Sequence, residues 1–136
     1  MVIAGDVLVA GRGNRNYAVL VGDDCPKNRV LAAPHFYVIS IKRSEVIPAF
    51  MVWWLNQRPC QRYFEQSAEG TLTKSIRRTV LEEVEIMLPS IDQQHTIAAL
   101  ACTIAKQRQA AEELIANGEQ ILTAIACDLA SASAHQ

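Results

Sequence analysis

The residues best suited to chemistry in this sequence are hydroxyls and cations, and they fall in two short stretches. Thr71, Thr73 and Ser75 stand beside Lys74, Arg77 and Arg78 in the stretch Gly70–Arg78. Arg12, Asn14, Arg15 and Asn16 stand between Gly11 and Tyr17. Guanidinium groups beside hydroxyls suit the positioning of phosphate oxygens, and Arg and Asn side chains also match base edges bidentately. The chemistry on offer is recognition of a polyanion. A blander reading stands beside each stretch. Gly11–Asn16 also reads as a solvated turn rich in Gly and Asn, and Arg77 and Arg78 as the start of a short exposed helix that pairs them with Glu82 and Glu83.

Bond-making chemistry finds no such residues. The sequence holds no Asn/Asp-Pro-Pro-Tyr/Phe signature, no G-x-x-x-x-G-K-[ST] phosphate loop and no G-x-S-x-G nucleophile turn. Glu82, Glu83 and Glu85 read as an ordinary polar run. Gly11-Arg12-Gly13 leads into a strand rather than a helix, which argues against a dinucleotide site. His35 reads as a packed strand residue, with His95 and His135 too distant in sequence for a metal spacing. The expectation is a non-catalytic chain without cofactor or metal. Cys25, Cys60, Cys102 and Cys127 form no C-x-x-C pair and read as free thiols of a reducing cytoplasm.

The elements that must position the two stretches follow from pattern. Gly5–Val21 reads as a β-hairpin, with strands Asp6–Ala10 and Tyr17–Val21. A polar loop covers Gly22–Arg29, and two more strands cover Val30–Ala33 and His35–Ile41. Ser44–Gln57 reads as a helix capped by Ser44, with Val46, Ile47, Phe50, Trp53 and Trp54 on its apolar face. Pro59 opens a second short helix through Tyr63, Phe64 and Ala68 that Gly70 closes. Leu81-Glu82-Glu83 leads into a strand at Val84–Leu88, which Pro89 and Ser90 end.

Ser90 or Asp92 then caps a long helix that runs to Leu129, a span of roughly 57 Å at 1.5 Å per residue. With Ile97 as heptad position a, Ile104, Ala111, Gly118 and Ile125 also fall at a, and Leu100, Leu114 and Ile121 at d. Gln107 and Asp128 interrupt the d row. An apolar seam of this period reads as a coiled-coil face, and Ala111 and Gly118 would let two backbones approach closely. Packing of the helix on its own domain is the alternative.

Length and charge bound the rest. At 136 residues, 50% hydrophobic and 20% charged, the chain has room for one domain with a core and an appended helix. No apolar run approaches the ~20 residues of a membrane span. Met1-Val2-Ile3-Ala4 lacks the basic region and long apolar run of a signal peptide, so the expected location is the cytoplasm. Met1–Arg78 carries eleven Lys/Arg against six Asp/Glu, and the remainder two against eight, within a net charge of −1. This permits a basic head that faces nucleic acid and an acidic helical tail.

Several stretches together resemble the DNA specificity subunits of type I restriction–modification systems. They are Pro34-His35-Phe36-Tyr37-Val38-Ile39, Trp53-Trp54-Leu55-Asn56, Tyr63-Phe64, Gly70-Thr71, and Val84-Glu85-Ile86-Met87-Leu88-Pro89-Ser90-Ile91-Asp92-Gln93-Gln94. The strand–proline–Gln-Gln junction into the helix is the most specific of these. The resemblance runs from about Gly5 to Leu129 and is to the second part of one target recognition domain and the helix after it. The family's subunits carry two such halves where this chain has one, and their recognition domain usually has a further stretch before the point where this chain starts.

The resemblance implies an α+β fold: a small mixed β/α target-recognition-like domain at 1–90, a long coiled-coil dimerisation helix at 91–130, and a disordered tail at 131–136. It implies a half-size specificity subunit that pairs through the helix as a homodimer, reads a bipartite site on double-stranded DNA and docks a DNA methyltransferase subunit. The alternative is a truncated homologue that has lost DNA binding and pairs with a full-length specificity subunit as an assembly regulator. The missing stretch favours the alternative and the basic loops favour the first reading.

Overall fold

The computed structural model describes residues 2–13, 15–22, 35–70 and 73–134. Its α+β fold is built on strand β1 (Val7–Ala10), where the β-branched Val7 and Val9 share one fully buried face. β1 pairs antiparallel with β2 (Ala18–Leu20), Val7 facing Leu20 and Val9 facing Ala18. On its other side it pairs antiparallel with β3 (Phe36–Ile39), Val7 facing Ile39 and Val9 facing Tyr37. The sheet order is β2-β1-β3. These are the expected hairpin and the strand after His35, each somewhat shorter. His35 itself precedes β3 and is exposed rather than packed; its carbonyl accepts the Gly11 N–H at 2.7 Å. The strand expected at Val30–Ala33 lies outside the described residues, as does Cys25.

Three helices supply the other half of the core. Leu55 of α1 (Pro48–Asn56), Cys60 and Phe64 of α2 (Arg58–Ser67) and Leu81 of α3 (Arg78–Glu82) pack with Val7, Val9, Ala18 and Ile76. α1 starts four residues later than expected, and Ser44 does not cap it. Pro48 is its first residue, with φ pre-set for a helix, and Pro48 in turn holds Ile47 extended at φ −90°, ψ 124°. Trp53 and Trp54 are half-buried, and the Trp54 indole donates to the Glu85 carbonyl at 3.0 Å.

Val84–Leu88 is not a strand. The chain enters it from α3 and pairs with no strand among the described residues, and the Trp54 indole bonds its Glu85 carbonyl.

The last helix, α4 (Ile91–Ala134), starts in a capping box. Ser90 Oγ accepts the Gln93 N–H and Gln93 Oε1 accepts the Ser90 N–H, both at 3.2 Å, so Ser90 rather than Asp92 is the cap. The adjacent Gln94 is buried. Its Oε1 accepts the Ile47 N–H at 2.9 Å, and its Nε2 donates to the Glu45 and Pro89 carbonyls at 2.8 and 3.0 Å. Gln94 thereby ties the first turns of α4 to the entry of α1. Two compact units follow, Met1–Ala98 and Ala99–Gln136, so the division falls within the helix rather than at residue 90. Residues 131–134 are helical rather than a disordered tail, because Ser131, Ala132, Ser133 and Ala134 contain no Pro or Gly to stop the helix. Among the described residues, no helix is long and apolar enough to cross a membrane.

The Gln94 clamp carries a stability prediction. Gln94→Leu keeps the volume but strands three backbone groups, at about 1–3 kcal/mol for each buried one. We expect the head unit to lose about 3 kcal/mol on this basis, read as a lower denaturant midpoint at unchanged slope. A loss below about 1 kcal/mol, the low end of that range, would show that the clamp is dispensable.

Candidate nucleic-acid interface

Backbone hydrogen bonds bring the two candidate stretches together. Beyond β1 the chain runs on through Gly11 to Gly13. The Ile76 N–H donates to the Gly11 carbonyl at 2.9 Å, and the Gly13 N–H donates to the Lys74 carbonyl at 3.0 Å. Arg12 and Ser75 face each other in an antiparallel bridge. Ser75 also exchanges backbone bonds with Glu69 at 2.8 and 2.9 Å. The cations at positions 12 and 74 are therefore set by main chain, leaving their side chains free to point at a ligand.

Two glycines make this possible. Gly70 has φ +120°, and a Cβ on it would collide with the Thr73 carbonyl, so the turn after Glu69 admits only glycine. Gly11 lies against the Tyr37 ring, where a Cβ would sit 2.6 Å from Cε2. The Tyr37 hydroxyl donates to the Ile76 carbonyl at 2.9 Å and holds the second stretch against the sheet.

Of the expected recognition residues, Arg12, Arg15, Thr73, Lys74, Arg77 and Arg78 are exposed. Asn14 and Thr71 lie outside the described residues. Ser75 is half-buried, and its main-chain groups are used by the bridges. Asn16 is not available to read a base. It is buried, and its Nδ2 donates to the Ala10 carbonyl at 2.8 Å, a bond that closes the hairpin loop from within.

Arg77 and Arg78 show part of the blander reading. Arg77 pairs with Glu69 at 3.0 Å, and Arg78 opens α3 and pairs with Glu82 at 2.8 Å, one turn on. Both pairs are exposed, and such pairs are worth about 0–1 kcal/mol, so a phosphate can replace either carboxylate at little cost.

Arg58, the first residue of α2, joins Arg15 and Lys74 around one cleft and was not singled out from the sequence. Its neighbours Gln57 and Pro59 carry no charge pattern, and only the tertiary fold brings it to the basic loops. Cys60 is buried, which pushes its thiol up to about 11 and keeps it a protonated core group. Cys102 and Cys127 are exposed free thiols on α4.

The seam of α4 is a second candidate surface. Ile97 is half-buried, while Leu100, Ile104, Leu114, Ile121 and Ile125 are 48–74% exposed. Ala111 and Gly118 are exposed, and a Cβ on Gly118 would meet nothing. Ile115, Leu122 and Leu129 are also exposed and extend the stripe. The heptad reading missed them because a straight helix drifts about 20° per heptad, which carries the apolar face sideways from a and d. Their own seven-residue spacing was the available signal. At 3.6 residues per turn, Ile97 through Leu129 keep these side chains within an arc of about 120°.

The sequence matches no protein-family model and no curated protein.

Proposed function

We propose that this chain is a non-catalytic DNA specificity subunit of a type I-like restriction–modification system. Two copies pair through α4, so that two basic heads read a bipartite site, and a DNA methyltransferase subunit docks on the pair and supplies the methyl-transfer chemistry. The location is the cytoplasm. The observation that carries this reading is the single surface on which main-chain bonds hold Arg12 against Ser75 and Gly13 against Lys74. The capping box at Ser90–Gln93 and the Gln94 clamp give the Gln-Gln junction of the family resemblance a physical role, since they start the helix and anchor it to the head.

A second reading has its own support. Arg77 and Arg78 are engaged by Glu69 and Glu82, which lowers the free cation of the loop. In that reading the chain does not hold DNA, and α4 pairs with a full-length specificity subunit to regulate its assembly.

Selection from random duplexes, with and without a cognate methyltransferase subunit, separates the two. The specificity reading expects enrichment of a two-part motif, lost as salt is raised. No salt-sensitive binding in either arm sinks it and leaves the assembly regulator. Methyl transfer to DNA by the chain alone would overturn the non-catalytic assignment.

A further inference from the structure

Beside the Arg12–Ser75 bridge lies a cleft of about 360 Å³ lined by Arg15, Arg58 and Lys74, with Gly13 and Glu65. Its remaining polar wall is already committed. Asn16 Nδ2 donates to the Ala10 carbonyl at 2.8 Å. Asn56 holds both the N–H and the carbonyl of Ala18 at 2.9 Å. Gln61 Nε2 donates to the Asn16 and Leu55 carbonyls at 2.8 and 2.6 Å. The side-chain amides of the cleft are thus spent on the backbone, and its cations are not. The ion pairs among the described residues are Arg43–Glu45, Arg77–Glu69 and Arg78–Glu82, so neither Arg15, Arg58 nor Lys74 shares a carboxylate there. Glu65 lines the same space and pairs with none of them.

A concave site with three uncommitted cations and one carboxylate selects a small oxyanion. Two guanidinium groups and an ammonium offer charge-assisted donors to tetrahedral oxygens, and Arg in particular engages phosphate in pairs of bonds. Lys74 and Arg15 belong to the two loops that the main chain locks together, whereas Arg58 comes from α2. The cleft therefore ties helix and loops to one ligand. We propose that it holds a single phosphate group of the DNA backbone, with Arg58 as a contact residue. The source of the phosphate rests on the DNA reading above; the chemistry is shared with free phosphate.

The test uses the full chain, inorganic phosphate as a first probe and duplex DNA as a second. Phosphate should shift the Gly13 amide resonance in the parent protein. Arg58→Gln should weaken that response and duplex binding about tenfold each, as expected for loss of a hydrogen bond to a charged group. It should also reduce the salt slope of duplex binding, by less than the whole-phosphate value of about 0.9 per copy, because Arg15 and Lys74 still hold that phosphate. Glu65→Gln should strengthen binding of both probes, a change that damage to the fold would not produce. Arg62→Gln, at an exposed position on α2 outside the cleft, should change neither. If Arg58→Gln leaves both probes unaffected while Arg12→Gln still weakens DNA binding, the cleft proposal is overturned and the DNA reading stands. If phosphate binds in an Arg58-dependent way but no duplex binds at any salt, the assignment to DNA is overturned.

Discussion

Replacing Leu114 and Ile121 with Glu should convert a dimer of this chain into a monomer. Both side chains are exposed in the single chain, at 74% and 62%. A helix with this much apolar surface has weak support alone, since most helical stability in proteins comes from packing an apolar face. Pairing two copies buries each such side chain, at about 1.5–3 kcal/mol apiece. Four of them per dimer amount to about 6 kcal/mol or more, and a dissociation constant raised by about 10⁴-fold. Four buried carboxylates would add to that penalty. Light scattering should show the change directly, and far-UV circular dichroism should show a loss of helix from residues 99–134. A parent protein already monomeric at roughly tens of micromolar, where even a modest interface of this kind should hold, would end the idea.

The seam also specifies a register. An antiparallel pair centred between Leu114 and Ile115 sets Leu100 against Leu129, Ile104 against Ile125, and Ala111 against Gly118. Large residues then meet large ones, and small meets small where the backbones come closest. With the native cysteines replaced, Leu100→Cys should form a disulfide when mixed with Leu129→Cys and fail to do so alone. Efficient self-crosslinking of Leu100→Cys would mean a parallel pair instead.

DNA binding should fall about 10²-fold between about 50 and 200 mM salt. Each copy presents Arg12, Arg15, Arg58 and Lys74 as exposed cations outside the ion pairs of the described residues. Arg12 takes one phosphate and the cleft of Arg15, Arg58 and Lys74 another, so a pair of copies neutralises about four, a log–log slope of about −3.6 at about −0.9 per phosphate. Arg12→Gln removes about two of the four and should bring the slope to about −1.8, weakening all sequences alike. Arg77→Ala with Arg78→Ala reports separately. Uniform weakening makes them phosphate contacts, and relaxed preference at particular positions makes them base readers. A slope near zero in the parent protein would remove DNA from the account.

Local pattern was enough to read much of this architecture. The alternation of Val7 and Val9, the Gly-rich loop and the return strand identify the hairpin, because a period of two decides which face is buried. The long helix is legible from its uninterrupted period and from Pro89-Ser90 ahead of it, since caps and periodicity are local properties. Pro48 was a local signal too, and it overrules Ser44 as the start of α1 because proline restricts the residue before it. Other features are decided by contacts between residues far apart in sequence. Asn16 has the composition of a base reader, yet its amide is consumed by the Ala10 carbonyl. Val84–Leu88 has the composition of a strand, but Trp54 claims its Glu85 carbonyl. Gln94 looks like a surface residue of an amphipathic helix, and three backbone groups from two other segments make it core. Arg58 is one more surface arginine until the Gln61–Asn16 bond places the first basic loop beside α2. In each case the side chain's chemistry was visible in the sequence, and its partner, which alone determines whether that chemistry is free to act, was supplied by the tertiary fold.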